Sequence, residues 1–384
     1  MNIRYFLGKT DREKFEVIFC PDREGLRIKK KIFSYTTIAK DLKKFNFDRK
    51  LILVLDRRIS KKVTKYLIHD LKISFSKLVI LEISGNKTNK NTKTLFKILN
   101  TLFKEEFTKK SVLISCGGGV IGDVSGLASS LYLRGLIHFH IPTTMTAIID
   151  SCLGGKTGVN YKGIINSLGT YYHPKKVYIS KNVIKLLPDR EYLAGIPEII
   201  KCGLIDNIKI LRALNQKDKI ISRDFKYISQ IIKSTLETKI KYFKNDVTEN
   251  NKRLNLNFGH TFAHAIEMSL DSLNKTDSLR HGEAVGIGIL CEIFYKNGKN
   301  NSYNLVEKLL KLYKLPTNLK NIIKKKNIKN LKNLKEKIFK NIFLDKKKIN
   351  KYPRYVNLVS IGKSKITEMK DFKRIKETIN KIIF

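Results

Sequence analysis

The stretch "SVLISCGGGVIGDVSG" constrains the fold more than any other part of the chain. An apolar run from Ser111 ends directly in Gly117, Gly118 and Gly119, and a helical segment opens beside Gly122 and Asp123. Glycines let backbone approach a pyrophosphate, whose charge is stabilised by amide groups and by the positive end of a helix. The spacing differs from the GxGxxG fingerprint, and a turn that merely packs tightly is the alternative reading. Around it, "KLILVLD" at 50–56, "KLVILEI" at 77–83 and "IHFHIP" at 137–142 read as further strands alternating with helical stretches. That is the pattern of a parallel sheet with crossover helices. After about residue 185 the strands fade. "ISQIIKSTLETKIKYFKND" and "EAVGIGILCEIFYKNG" read as helices, and Ile328, Leu331, Leu334, Ile338 and Ile342 recur at helical spacing. The expected organisation is an α/β domain over residues 1–185 and an all-α domain over residues 186–384.

Bulk properties narrow the class. With 384 residues, 42% of them hydrophobic, the chain can bury two substantial cores and is not generally disordered. "MNIRYFLGKTDREK" meets charges before an apolar core can form, and no run approaches transmembrane length. Five cysteines without CxxC spacing suggest free thiols in a reducing cytoplasm. The net charge of +43 invites a nucleic-acid or anionic-membrane reading. Lysines are spread over the whole chain, however, with abundant Asn and Ile. This favours tolerant surface positions over a dedicated basic face.

Three of the seven histidines lie close together. "NFGHTFAHAIE" sets His260 and His264 about one helical turn apart, and "LRHGEAVGIGI" adds His281. Such a face can hold a metal. It can equally be a pair of hydrogen-bonded core imidazoles. The zinc-peptidase pattern needs a glutamate directly after its first histidine, and Thr261 stands there instead.

Seven segments, taken in order, carry a family resemblance: "GGGVIGD", "RG" followed by "PTT", "DSCLGGKTGVN", "GIPEIIK", "NFGHTFAHAIE", "HGEAVGIG" and "DKK". Over about residues 50–365 the chain resembles 3-dehydroquinate synthase, one of the sugar phosphate cyclases. The resemblance implies an N-terminal α/β domain that binds NAD and a helical C-terminal domain that binds a catalytic zinc, with cobalt as a possible substitute. The implied reaction converts 3-deoxy-D-arabino-heptulosonate 7-phosphate into 3-dehydroquinate and inorganic phosphate. A ring alcohol is oxidised, phosphate is eliminated, the hydride returns, and the opened enol closes by aldol addition. Net NAD consumption is zero.

By the same resemblance Glu198, His260 and His281 are the metal ligands, leaving a coordination position open as a catalytic zinc requires. The NAD contacts implied are Asp56, Gly117, Gly118, Gly119, Gly122, Asp123, Thr143, Thr144, Asp150 and Glu191. Lys239 and Arg253 would take the substrate carboxylate. Lys156, Asn166, Asn257, His264 and Lys346 would take its phosphate, with His264 assisting proton movement. Asp150 would hold ring hydroxyls and Lys201 would sit beside the reacting alcohol. Arg134 is expected to reach the site of a neighbouring subunit in a homodimer.

The chain departs from the family pattern at three places. Between His260 and His281 the chain carries a few residues more than the family pattern, in "MSLDSLNKTDSLR", Ile165 stands where a lysine near NAD is expected unless Lys162 substitutes, and Asn86 stands where an acid is expected. The last two imply weaker NAD binding with unchanged chemistry. Three alternatives compete: another sugar phosphate cyclase, a zinc-dependent polyol dehydrogenase, and a non-catalytic basic nucleic-acid-binding protein. Arg253 and Lys239 favour an acid substrate, because a buried cation facing a neutral group is costly.

Overall fold

The computed structural model describes residues 3–9, 14–20, 45, 48–162, 164–273, 278–344 and 352–384. The chain divides into two units, Met1–Pro188 and Asp189–Phe384.

The first unit is built on β1 (Ile3–Lys9), β2 (Lys14–Cys20), β3 (Lys50–Asp56), β4 (Lys77–Ile83), β5 (Val112–Gly117), β6 (Ile137–Pro142) and β9 (Lys176–Ser180). They form one sheet in the order β1-β2-β9-β6-β5-β3-β4, parallel throughout except for the β1–β2 pair. Strand β3 shows why the sequence reads as a continuous apolar run. Leu51, Leu53 and Leu55 pack on one face with Leu67 and Leu71 of helix α1 (Lys61–Ser74). Ile52 and Val54 pack on the other, with Ile98 and Leu102 of α2 (Thr92–Lys104) and Val124 and Leu127 of α3 (Gly119–Leu131). Side chains alternate across a strand, so one covered on both faces must be apolar at every position. A hairpin, β7 (Lys156–Tyr161) and β8 (Ile164–Tyr171), forms a separate small sheet.

In β4-β3-β5-β6-β9 the chain runs from β3 outward to β4, then returns past β3 to β5. The point where the order reverses lies between β3 and β5. In open α/β sheets ligands bind beyond the carboxyl ends of strands at such a point. The glycine-rich turn follows β5, and Asp56 ends β3.

The second unit is helical. Its helices of ten or more residues among those described are α4 (Ile196–Ile205), α5 (Phe225–Phe243), α6 (His260–Asp271), α7 (His281–Asn297), α8 (Asn301–Leu312) and α9 (Leu331–Phe343). Helix α7 is buried from Gly282 through Tyr295, which accounts for its apolar residues all round. In α9 the expected stripe is buried at Leu334, Ile338 and Ile342, while Leu331 is exposed.

The all-α expectation needs one amendment: β10 (Arg354–Ser360) and β11 (Lys363–Glu368) form an antiparallel hairpin in this unit. Its turn contains Gly362 at φ 87°, a left-handed conformation that glycine adopts without a Cβ penalty. The Gly362 amide donates to the Leu204 carbonyl at 2.8 Å, tying the turn to the end of α4. Cys116, Cys152, Cys202 and Cys291 are buried thiols outside any disulfide. Among the described residues no helix is long and apolar enough to cross a membrane.

Candidate metal centre and nucleotide turn

In the first unit the glycine-rich turn is as tight as its sequence requires. A Cβ at Gly117 would lie 2.5 Å from the Ile121 side chain, and one at Gly118 would lie 3.0 Å from Thr144 Cγ2. Helix α3 starts at Gly119 with no side-chain cap and no acid in its first turn. Its first amides therefore face a position suited to an anion, and side chains larger than hydrogen would narrow the approach. The amide of Thr143 donates to the Gly117 carbonyl at 2.9 Å, and Thr144 Oγ1 accepts from the Ala147 amide at 3.2 Å. Asp123 accepts from Lys90 Nζ at 2.5 Å. Burial pushes Asp123 above the usual carboxylate range and the nearby Asp150 adds to this, while Lys90 and Lys156 oppose it. These four charged groups thus share one electrostatic environment beside Gly122. Beyond β3, Asp56 is 3% exposed. Its Oδ1 accepts from the amide of Gly85, and both its oxygens are held by the guanidinium of Arg58.

The metal centre belongs to the second unit. Glu198 lies in the first turn of α4, His260 is the first residue of α6 and His281 the first of α7. The Glu198 side chain is 1% exposed; its Oε1 accepts no hydrogen bond and lies 3.7 Å from Nε2 of both His260 and His281. A zinc ion with bonds of about 2.0–2.1 Å in tetrahedral geometry sets its ligands about 3.4 Å apart. The residues therefore fit a divalent metal: a bare buried carboxylate oxygen converges with two imidazole nitrogens. Nδ1 of His260 is 3.2 Å from the Phe258 carbonyl, and Nδ1 of His281 is 2.9 Å from Glu267 Oε2. Hydrogen bonds at Nδ1 fix the tautomer that leaves Nε2 to ligate.

A second donor group, His264, Glu267 and His281, overlaps the first. In it Glu267 contacts His281 Nδ1, the ring nitrogen that the first group does not use. The His264 ring lies 5.4 Å from that of His260 and 5.9 Å from that of His281, beside the centre. Thr261 has a structural task, donating through Oγ1 to the Arg354 carbonyl at 2.9 Å.

The other expected residues fall in several places. Lys201 Nζ lies against Glu198 Oε2, and both side chains are 1% exposed. Lys239 and Arg253 are buried. The Arg253 guanidinium covers the Phe243 ring at 5.3 Å and donates to the Val247 carbonyl at 2.6 Å. Among the described residues the buried lysines are Lys176, Lys201 and Lys239, so two of the three had been singled out by motif position. Asn257 Nδ2 donates to Glu249 at 2.5 Å. Lys156 and Asn166 lie on the β7–β8 hairpin of the first unit, both exposed; the Asn166 amide donates to Asn160 Oδ1 at 2.9 Å. Glu191 belongs to the second unit, where it accepts from Arg280 Nε at 2.5 Å. Arg134 is exposed on a turn of the first unit. Lys346 lies outside the described residues.

Of the departures, Asn86 caps a helical turn: its Oδ1 accepts from the Asn89 amide at 3.3 Å and from Thr88 Oγ1 at 3.0 Å. Lys162 sits 5.7 Å from the Tyr161 ring centroid at the hairpin end. Sequence reasoning missed Glu267, Lys90 and Arg58. Glu267 stands three residues after His264 within a quoted motif, a spacing that could have flagged it. Lys90 and Arg58 carry no such signal in so basic a chain.

Comparison with known proteins follows the same division. Residues 80–194 match the family described as 3-dehydroquinate synthase N-terminal, and residues 195–348 match 3-dehydroquinate synthase C-terminal. The chain is 35% identical over 355 residues to 3-dehydroquinate synthase of Campylobacter jejuni, covering 89% of this chain and 95% of that one. It is 33% identical over 341 residues to 3-dehydroquinate synthase of a Nitratiruptor species, covering 87% and 91%. Among solved structures, 2-deoxy-scyllo-inosose synthase complexed with carbaglucose-6-phosphate, NAD+ and Co2+ is similar in fold, with TM-score 0.78, 21% identity and full coverage of both chains. So is 2-epi-5-epi-valiolone synthase from Streptomyces hygroscopicus with NAD+ and Zn2+ bound, with TM-score 0.78, 20% identity and coverage of 95% and 96%. With both halves matched, and relatives above 30% identity spanning most of its length, the chain belongs to the 3-dehydroquinate synthase family.

Proposed function

We propose that this chain converts 3-deoxy-D-arabino-heptulosonate 7-phosphate into 3-dehydroquinate and inorganic phosphate, using a divalent metal and NAD in the reducing cytoplasm. The observation that carries the reading is the buried Glu198 Oε1, which accepts no hydrogen bond and faces two imidazole Nε2 atoms at 3.7 Å. Three protein ligands leave a position for substrate oxygen, the arrangement of catalytic zinc sites. Held there, a divalent metal would supply Lewis-acid polarisation of a ring alcohol and NAD would supply reversible hydride acceptance.

The chain's own residues do the rest. Glu198, His260 and His281 would hold the metal, and Glu267 would keep the His281 ring oriented. Lys201, clamped on Glu198, places a buried ammonium beside the reacting alcohol. Arg253 and Lys239 supply buried positive charge for the substrate carboxylate; a desolvated cation binds an anion far more strongly than a solvated one. His264, alongside the ligands, is suited to moving a proton during phosphate loss. The glycine-rich turn and the uncapped start of α3 supply amides for a pyrophosphate. The C–O bond to phosphate and the C–O bond of the ring break and one C–C bond forms, with no net redox change.

The test is incubation of the metal-loaded protein with this sugar acid phosphate and catalytic NAD. Phosphate release without accumulation of NADH is expected. NADH formed in proportion to substrate would identify a polyol dehydrogenase instead.

A further inference from the structure

Where the sheet order reverses, the acid that ends β3 is already engaged by a cation of its own chain. Asp56 Oδ1 accepts three donors at 3.1 Å each: the Arg58 amide, Arg58 Nε and the Gly85 amide. Its Oδ2 accepts from Arg58 Nη2 at 2.9 Å. The carboxylate is 4% exposed, whereas the arginine side chain is 50% exposed. Register pairs Leu55 with Cys116, so Asp56 stands beside Gly117 and the glycine-rich turn.

An acid in this position of a dinucleotide fold accepts ribose hydroxyls and repels a phosphate on the same ribose, whereas an arginine there accommodates that phosphate. Here the two occur together, and the fork across Asp56 cancels its charge. The loop next to it adds no negative charge: Ser84, Gly85, Asn86, Lys87, Thr88, Asn89 and Lys90 include no acid. Side-chain bulk at Gly85 is excluded as well, since a Cβ would lie 2.2 Å from Asp56 Oδ2 and 2.9 Å from Arg58 Nη2. The loop is therefore held against the acid and its clamp.

We infer that Arg58 is a specificity-determining residue that admits a dinucleotide bearing a 2′-phosphate, so that this chain binds NADP+ as well as NAD+. The inference rests on the reading of the glycine-rich turn as a dinucleotide site. Arg58, on a side chain that is 50% exposed, places a planar donor group beside an acid whose charge it offsets, and a charge-assisted contact between a guanidinium and a phosphate changes affinity by about tenfold or more.

Isothermal titration calorimetry of the full-length, zinc-loaded protein with NAD+ and with NADP+ tests it. The expected result is an NADP+ Kd no more than about threefold above that for NAD+. In Arg58→Ala, NADP+ should weaken about tenfold or more while NAD+ changes by less than about threefold. Arg58→Lys, which keeps the charge and loses the fork, should fall between. Wild-type protein that binds NAD+ normally but NADP+ more than about threefold less tightly overturns the inference and leaves the dinucleotide reading standing. Equal losses for both ligands in Arg58→Ala show a merely structural arginine and also overturn it. Binding of neither ligand removes the dinucleotide reading, and the inference with it.

Discussion

Glu267 illustrates how one residue can orient a candidate ligand at this centre. By accepting from His281 Nδ1 it fixes the ring that offers Nε2 toward Glu198. His281→Ala should abolish tight zinc binding together with activity, whereas His264→Ala should lose rate and keep its metal. Glu267→Gln should weaken metal affinity by about 10–100-fold. Metal content of the purified variants, with competition against a chelator, separates the three; loss of zinc from His264→Ala alone would put the overlapping donor group in place of the proposed one. A second residue-scale prediction concerns the first unit. Ser115 Oγ lies 2.8 Å from both His138 Nε2 and His140 Nδ1, all three side chains buried. Burial, reinforced by the neighbouring His140, lowers His138 to about 3; burial lowers His140 to about 4, partly offset by the Ser115 carbonyl. Below the ordinary value of 6.5 the unfolded chain takes up protons that the folded unit refuses until those lower values are reached. Stability is therefore lost as pH falls from 6.5, by about 1.4 kcal/mol per pH unit for each imidazole. Urea unfolding between about pH 6 and 4.5 should show His138→Gln with a slope shallower by about that amount. The grouping of Glu198, His260 and His281 was legible because whole motifs carried them. The buried histidines were not, since "IHFHIP" reads equally well as a plain strand, and only its pairing with β5 brings Ser115 between them.

At the scale of elements, the metal centre depends on how closely two helices approach. A Cβ at Gly288 of α7 would lie 1.9 Å from the Gly259 carbonyl oxygen, immediately before α6, and Gly259 itself has φ 83°. A Cβ at Gly282 would lie 1.7 Å from the Ala194 carbonyl oxygen, ahead of α4. These contacts set the separation of the helix starts that carry His260, His281 and Glu198. Gly288→Ala should therefore force α6 and α7 apart, cost about 1–3 kcal/mol or more, and lower the zinc affinity at the same time. Gly286→Ala is the control: its Cβ would meet only the end of the Leu310 side chain at 3.0 Å and the Pro197 ring at 3.3 Å. Calorimetric melting and zinc titration of both variants check this. Equal behaviour of the two would mean that helix approach does not set the site. The same packing explains what was legible. Strands β3 to β6 announce themselves because both faces are covered, and α5 and α7 because apolar residues persist at helical spacing. The hairpins were missed because β8 has only exposed and half-buried positions, and β10 and β11 are short runs in a lysine-rich context.

For the molecule as a whole, the surface charge says little about function, and one exposed turn says more. Among the described residues almost every lysine lies outside the core, only Lys176, Lys201 and Lys239 being buried, so their positive charge is a property of the surface. Arg134 stands apart from this background. Leu133 and Arg134 both have positive φ, 48° and 63°, followed by Gly135 at 128°. Non-glycine residues in that region cost about 1–2 kcal/mol each and persist only where neighbours hold them. Buried Tyr132 does so, donating to the carbonyls of Phe107 at 2.7 Å and Leu102 at 3.2 Å, while the Leu136 amide returns to Ser129 at 2.8 Å. A strained turn anchored in this way fixes the backbone that carries an exposed arginine, and we propose that Arg134 completes the site of a second copy in a homodimer. Arg134→Ala should then lose activity with its zinc content unchanged, and His281→Ala should be inactive for want of metal. Mixed and re-equilibrated, the two inactive proteins form hybrids in which the Arg134→Ala copy keeps its own metal centre and receives an intact arginine from its partner. One site in each hybrid is whole, so about a quarter of all sites, and of wild-type activity, should return. Sedimentation confirms that hybrids can form. If dimers exchange and no activity returns, Arg134 acts within its own chain.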